Sequence, residues 1–198
     1  VAKAEDALKK VFVLVRAQTG HDFSQYKQNT INRRIERRMA VQQIDCLDAY
    51  VRFLQQTPTE VISLFQDLLI GVTSFFRDPD AFKVLREQVV PRLFEGKPAG
   101  ASVRVWVPGC STGEEAYSIA ILLQERMETL RKAFKVQVFA TDVDGRAIDA
   151  ARAGVYPASI AADVPSEQLE RFFIQQTDGG TYRIQKGIRD MMVFSEQD

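Results

Sequence analysis

The feature that most constrains the fold is a short strand that runs directly into a small-residue turn and then a helix. Residues 103–118 read VRVWVPGCSTGEEAYS, in which valine recurs at every second position before the turn begins. Gly109 and Gly113 allow the backbone of the turn to approach a ligand closely. Glu114 and Glu115 stand where a phosphate-binding loop carries its lysine, so we predict a ligand that is neutral or cationic there.

A second strand, one helix further along the chain, ends in a carboxylate. Residues 136–141 read VQVFAT, and Asp142 follows them directly. In a parallel α/β sheet the ligand binds beyond the carboxyl ends of the strands, where a carboxylate can accept hydrogen bonds from both ribose hydroxyls. A glycine turn alone is equally compatible with an ordinary connection. The turn and Asp142 together predict a nucleoside-type site.

Composition and charge exclude several classes of protein. The 198 residues are 45% hydrophobic, and the 26 basic side chains equal the 26 acidic ones in number, which predicts a globular protein that does not bind nucleic acid. The chain has two cysteines, Cys46 and Cys110, and a lone His21, too few for a disulfide framework or a zinc site, so we predict no metal. No segment is apolar enough for membrane insertion, and we predict a cytoplasmic protein.

The chain divides into three parts in this interpretation. Residues 1–78 form a helical N-terminal domain, residues 79–100 a linking helix and linker, and residues 101–198 a partial Rossmann-like domain with residues 156–190 as a small subdomain. The predicted class is α/β: a small all-helical domain followed by a partial Rossmann-like sheet and a small β subdomain. Pro91 is predicted to kink or end the linking helix, whose apolar face comprises Phe82, Val84, Leu85 and Val89.

The predicted parallel sheet has few strands. We find three candidates, near Val103, Val136 and Met192. A doubly wound sheet normally has five or more parallel strands, so we expect the chain to be truncated at its C-terminus.

A basic helix is predicted within residues 28–42. Isoleucine and methionine recur there at every fourth residue and line one face. Arg33 and Arg37 project roughly opposite that face, and Arg34 and Arg38 lie on its flank. They can be an ordinary solvated face or a docking surface for an acidic protein helix. Nucleic acid is the weaker partner, because no aromatic residues interleave with the arginines.

The segment that joins the two halves admits two interpretations. Residues 69–79 read LIGVTSFFRDP. In the first interpretation Phe75 and Phe76 pack between the domains and Arg77 is an ordinary surface residue. In the second the segment is a wall of the ligand site, where Thr73 offers a hydroxyl, an aromatic ring covers the ligand and Arg77 pairs with a carboxylate.

Three segments in this order and spacing resemble the CheR family of chemotaxis receptor glutamate methyltransferases: VTSFFRDPDAF, VPGCSTGEEAYSIA and ATDVDGRAIDAARAGVYP. The resemblance spans essentially the whole chain, including the basic second helix. RDMMVFSEQD is similar to the methyltransferase part of proteins in which it is fused to a CheB-type methylesterase.

The resemblance implies an S-adenosylmethionine-dependent enzyme that esterifies glutamates on the cytoplasmic helices of chemoreceptors, with a fused or associated methylesterase as a further partner. It implies that Arg77 is catalytic and that Arg33, Arg34, Arg37 and Arg38 bind the substrate. It also implies a set of cosubstrate-binding residues: Thr73, Arg77, Gly109, Ser111, Gly113, Glu114 and Asp142.

The chain also departs from the family. Gly71 stands where the family often has asparagine, and Ala116 replaces a frequent proline. Family members continue into Asn-Leu-Leu and Cys-Arg-Asn segments that complete the pocket. We therefore expect this fragment to bind its cosubstrate weakly and to have low activity. The alternative is a noncatalytic signalling module that binds S-adenosylmethionine or a partner.

Overall fold

The computed structural model describes residues 2–24, 26, 28–69, 71, 73–177 and 179–197, with only the backbone for residues 2–5. The chain forms two compact units, Val1–Ile70 and Gly71–Asp198. The predicted helical domain ends at residue 78, and the predicted linking helix and linker cover residues 79–100. In the structure the described residues of 71–100 belong to the second unit.

The first unit is helical in its described residues. Its helices are α1 (Ala2–Thr19), α2 (Gln28–Val41), α3 (Leu47–Gln56) and α4 (Pro58–Leu68). Gly20 follows α1 with φ +80° and donates its N–H to Arg16 O, so glycine ends this helix in the left-handed conformation that it adopts without strain. The apolar faces of all four helices supply a shared core that includes Val11, Ile31, Leu54 and Leu64.

The second unit begins with the linking helix, which is interrupted by a π-helical turn. Helix α5 (Pro79–Val84) continues through the π turn Leu85–Val89 into α6 (Val90–Phe94). Pro91 does not end the helix, which continues through it to Phe94, and the π turn directly precedes Val90 and Pro91. The π turn also rotates the apolar face, because Val84 and Val89 are 46% and 41% exposed while Val90 is buried.

The main sheet has three described strands, all parallel, in the order β1-β2-β6. These are β1 (Ser102–Pro108), β2 (Lys135–Asp142) and β6 (Met192–Glu196). Helix α7 (Glu114–Leu130) connects β1 to β2, and α8 (Gly145–Ala153) follows β2. Pro108 pairs with Thr141, so the carboxyl ends of β1 and β2 lie side by side. The predicted α/β class and its three parallel strands are confirmed.

A second, antiparallel sheet forms the small subdomain. Its strands are β3 (Val155–Pro157), β4 (Phe173–Gln175) and β5 (Thr181–Ile184), in the order β3-β5-β4. A 3-10 turn (Ala158–Ala162) and α9 (Ser166–Phe172) connect β3 to β4, and α10 (Lys186–Arg189) leads into β6. None of the helices in the described part of the chain is long and apolar enough to span a membrane.

Candidate functional site

The glycine turn after β1 depends on backbone conformations that few residues adopt. Gly109, Ser111 and Gly113 have φ angles of +66°, +48° and +93°. A Cβ atom at Gly109 would meet no heavy atom within 4 Å, so only its conformation favours glycine there. A Cβ atom at Gly113 would lie 2.9 Å from Ala151 Cβ. Glycine at position 113 therefore allows both the turn and the close approach of α8.

Asp142 lies against this turn. Its Oδ2 accepts a hydrogen bond from Ser111 N at 2.7 Å, and its Oδ1 accepts one from Asp144 N at 2.9 Å. The first bond holds Ser111 in its left-handed conformation, and the second fixes the start of the loop before α8. An ionised carboxylate offers about four acceptor positions, so both oxygens keep capacity for further donors such as ligand hydroxyls.

Glu114 begins α7 at the end of the same turn. Thr112 Oγ1 donates a hydrogen bond to Glu114 Oε2 at 2.6 Å. Burial raises the pKa of Glu114, and the bond from Thr112 partly offsets this by favouring the carboxylate. A cation placed beside Glu114 would stabilise its charged form, because it would replace the water that burial removes.

Cys110 lies within the turn but is not a reactive group. Its side chain is 1% exposed, and its N–H donates to Thr141 O at 3.0 Å. Burial, together with the charge of Asp142, raises the pKa of the Cys110 thiol to about 12. The thiol is therefore neutral at physiological pH and acts as a small apolar group between β1 and β2.

The segment with Thr73 and Arg77 packs beside the turn. A Cβ atom at Gly71 would lie 2.9 Å from Ser111 Oγ, so glycine leaves room for the Ser111 hydroxyl. Phe76 N donates to Ser118 Oγ at 3.1 Å, which attaches the segment to α7. Thr73 is half-buried and Arg77 is exposed.

Phe75 is a core residue of the second unit. It is 1% exposed, and its ring packs edge-on against Tyr156 and Phe173, with centroid distances of 4.9 and 5.3 Å. These partners belong to the second unit, so Phe75 contributes to the core of that unit. Phe76 is half-buried and packs against Phe82 at 5.3 Å. Of the two aromatic residues in the segment, the half-buried Phe76 is therefore the one that remains available to cover a ligand.

Two further residues support the turn, and sequence reasoning missed both. Tyr156, on β3, donates its hydroxyl to Thr112 O at 2.7 Å, and burial raises its pKa far above the ordinary tyrosine value. Ser118 donates to Glu114 O at 2.7 Å while it accepts from Phe76 N. Both residues lie within the segments that resemble the family, which is the signal that could have found them. Local spacing does not predict the contacts, because Tyr156 is 44 residues from Thr112 and Ser118 is 42 residues from Phe76.

The four arginines of the basic helix lie on α2 in the first unit, where two of them have internal partners. Arg34 Nη1 donates to Asp67 O at 2.7 Å. Arg38 binds Glu60 through two hydrogen bonds, Nε to Oε1 at 3.0 Å and Nη2 to Oε2 at 2.7 Å. Arg33 and Arg37 are exposed, and they leave α2 with a smaller cationic surface than the sequence suggested.

Glu60 is the buried centre of this interaction. Its side chain is 4% exposed, and it also accepts hydrogen bonds from Tyr50 Oη at 2.9 Å and Gln42 Nε2 at 2.7 Å. The bonds to Glu60 raise the pKa of Arg38, and burial raises the pKa of Tyr50. A fully hydrogen-bonded buried ion pair fixes how α2 and α4 pack, which gives Arg38 a structural role.

The structure thus brings most of the predicted cosubstrate residues to one edge of the main sheet. Five of them lie together at this edge: Gly109, Ser111, Gly113, Glu114 and Asp142. The segment that carries Thr73 and Arg77 adjoins them. The described residues include no group of three or more His, Cys, Asp or Glu side chains that could hold a metal ion.

Comparison with known protein families gives two matches. Residues 6–69 match the family described as CheR methyltransferase, all-alpha domain. Residues 71–198 match the family described as CheR methyltransferase, SAM binding domain. The boundary between the two matches coincides with the division between the compact units.

Curated relatives agree with these matches. An uncharacterised 104.1 kDa protein of Rhodobacter capsulatus is 42% identical over 193 residues, which are 98% of this chain and 20% of that protein. A chemotaxis protein methyltransferase of Borreliella burgdorferi is 28% identical over 196 residues, covering 97% of this chain and 69% of the relative. A putative methyltransferase of Pseudomonas putida, Cher3, is 41% identical over 138 residues, or 69% of this chain and 47% of Cher3.

This chain therefore spans only about one fifth of the Rhodobacter protein and about half of Cher3. The family resemblance seen in the sequence is confirmed, and the chain belongs to the CheR methyltransferase family.

Proposed function

We propose that the chain is a protein-glutamate O-methyltransferase domain that uses S-adenosylmethionine and acts on the cytoplasmic helices of chemoreceptors. The observation that carries this proposal is the hydrogen bond between Asp142 and the backbone of the glycine turn. It joins, at one sheet edge, a backbone that a ligand can approach closely and a carboxylate with acceptor capacity. Relatives named chemotaxis protein methyltransferase support a methyl transfer that serves chemotaxis, and the choice of receptor glutamates as the substrate is part of the proposal.

The residues at this edge fit the chemistry of the cosubstrate. Asp142 would accept hydrogen bonds from the ribose hydroxyls, and the backbone of Gly109, Ser111 and Gly113 would border the nucleoside. Glu114, whose carboxylate is partly desolvated, would attract the cationic amino acid end. Thr73 would offer a hydroxyl, and Arg77 would bind the carboxylate of the cosubstrate.

When bound, S-adenosylmethionine supplies a methyl group activated by a positive sulfur. A glutamate side chain is ionised at neutral pH, so no residue of this chain has to remove a proton from it. The contribution of the protein is then to hold the reactants in line and to exclude water. Arg77, the residue that we propose as catalytic, would act through this positioning.

The direct test is transfer of labelled methyl from S-adenosylmethionine to a purified receptor cytoplasmic fragment. We expect label that base releases, because an ester is base-labile, and no label on a fragment whose acceptor glutamates are changed to alanine. Calorimetric binding of S-adenosylhomocysteine without any transfer would instead support the noncatalytic signalling module.

Glu114→Gln tests the role of this carboxylate. We expect roughly tenfold weaker binding of S-adenosylhomocysteine at pH 7.5, because the charge that faces its amino group is removed. Burial raises the pKa of Glu114, so its contribution to stability is present at low pH and decreases as the pH rises through that pKa. The variant should therefore melt no lower than the wild type at pH 7.5.

Calorimetry between pH 5 and pH 8 provides the measurement. Wild-type affinity should fall as the pH decreases through the pKa of Glu114, while the affinity of Glu114→Gln should stay constant. Glu115→Gln removes an exposed neighbouring charge and serves as the matched control. Equal pH profiles for wild type and Glu114→Gln would contradict the role of Glu114.

Arg33 and Arg37 are the proposed docking cations for an acidic receptor helix. The double variant Arg33→Glu/Arg37→Glu should raise the KM for the receptor fragment about tenfold at low salt, because charge steering becomes repulsion. Its kcat should change little, since neither residue is among the proposed cosubstrate-binding residues. The control Arg52→Glu reverses an exposed charge on α3, and an equal effect there would contradict a specific role for α2.

A further inference from the structure

The second unit contains a cavity at the opposite end of the main sheet from the glycine turn. Its volume is about 640 Å³, which lies within the range typical of small-molecule sites. It is bordered by the end of α6, by the loop that follows, by the last turns of α7 and by Phe134, one residue before β2. Strand β2 has eight residues and is about 23 Å long, so it separates the cavity at its first residue from the glycine turn beside its last residue.

The walls of this cavity combine an apolar surface with positive charge. The apolar part comes from Pro91, Phe94, Leu130 and Phe134. The two phenylalanine rings pack edge-on, with their centroids 4.8 Å apart. The charged lining residues are four cations and one anion: Arg92, Lys97, Arg126, Lys132 and Glu95. In the described part of the chain none of the four cations has an ion-pair partner.

Arg126 is the lining cation with the clearest unmet hydrogen-bonding capacity. Its Nε is buried and donates no hydrogen bond in the structure. A buried guanidinium N–H without an acceptor is unfavourable, and a carboxylate or phosphate in the cavity can make two parallel hydrogen bonds with a guanidinium that lines it. The neighbouring cations would be stabilised by the same anion, since their mutual repulsion would decrease.

We propose that this cavity binds an organic anion, with an apolar ring system against Phe94 and Phe134 and an acidic group on Arg126. The acidic group is a phosphate or a carboxylate, which make the same bidentate contact with a guanidinium. This site is separate from the cosubstrate site, and it does not depend on the proposed methyl transfer.

Fluorescence titration with anilinonaphthalene sulfonate, an aromatic anion, tests the proposal. We expect saturable binding to the wild-type chain and about tenfold weaker binding to Arg126→Gln, because a charge-assisted contact is lost. Arg104→Gln removes an exposed arginine outside the cavity and should bind the probe like the wild type. Thermal melting establishes that each variant is folded, and Lys132→Gln should independently weaken binding about threefold.

Three further binding measurements distinguish this site from a general hydrophobic surface and from the cosubstrate site. Phenylnaphthylamine, which has the aromatic rings without the charge, should bind at least tenfold more weakly than the sulfonate. Naphthyl phosphate and naphthoate compete with the probe, and the stronger competitor identifies the preferred acidic group. Saturating S-adenosylhomocysteine should not displace the probe. Any one of four results would overturn the proposal. These are unchanged affinity of folded Arg126→Gln for the probe, tight binding of the neutral amine, displacement of the probe by S-adenosylhomocysteine, and no competition by either anion.

Discussion

Asp142→Asn is expected to weaken the binding of S-adenosylhomocysteine about a hundredfold, which corresponds to roughly 3 kcal/mol. The amide keeps the shape of the side chain but replaces one acceptor oxygen by a donor. Both carboxylate oxygens accept backbone N–H groups, from Ser111 and from Asp144, so the new NH₂ group must face one of these donors. The variant therefore disturbs the turn and also loses a charged acceptor for the ribose hydroxyls.

Isothermal titration calorimetry measures this effect, and Asp144→Asn is its matched control. The Asp144 side chain caps α8 by accepting from Arg146 N and Ala147 N. Asparagine is about as good a cap as aspartate, so this variant should bind the ligand like the wild type. If Asp142→Asn kept wild-type affinity, the proposed nucleoside site would be wrong. Equal losses in both variants would show that the effect is a general loss of charge near α8.

Glu60→Gln is expected to lower the free energy of unfolding of the helical unit by about 3 kcal/mol. Removal of one partner of a buried ion pair leaves the other charge uncompensated. Arg38 donates two hydrogen bonds to Glu60, and its side chain is only 16% exposed. The amide would keep one acceptor oxygen and place a donor opposite the guanidinium, so water would satisfy Arg38 only in part.

Urea unfolding followed by circular dichroism measures this loss, with Glu36→Gln as control. Glu36 is an exposed acidic residue on α2, and its substitution should change the free energy of unfolding by less than about 0.5 kcal/mol. Tyr50→Phe removes one hydrogen bond to Glu60 and should cost about 1 kcal/mol. Equal stability of Glu60→Gln and Glu36→Gln would contradict a structural role for the ion pair with Arg38.

Local patterns predicted the framework of the fold well. The alternating valines of β1, the position of Asp142 at the end of β2 and the four-residue spacing of apolar residues in α2 depend on contacts within one element or one turn, so the sequence shows them directly. The parallel order of the main sheet follows because a helix separates β1 from β2. The strands β3 and β4 are too short, at three residues each, to show a pattern of their own.

Those parts of the candidate site that depend on local backbone conformation could be predicted from the sequence. The glycines of the turn were predicted from the conformations that a tight turn requires, and its acidic residues from their charge. The side chains that hold the turn in place could not be predicted in this way, because their contacts depend on tertiary packing. Tyr156 reaches Thr112 across 44 residues, and Arg38 reaches Glu60 across 22. Helical spacing separates Arg38, on the flank of the apolar face of α2, from the exposed Arg37 opposite that face. It does not identify Glu60 as the partner of Arg38, because that contact depends on the packing of α4 against α2.

The π turn in the linking helix has a consequence for sequence length. Phe82 and Leu85 lie three positions apart on the inner face, and the next buried residues, Val90 and Phe94, follow one position later than an uninterrupted α-helix would place them. Deleting one residue within Leu85–Val89 would restore regular spacing and keep Val90 and Phe94 inward. We therefore expect that this chain can lose a single residue from this segment without a change in the packing on either side.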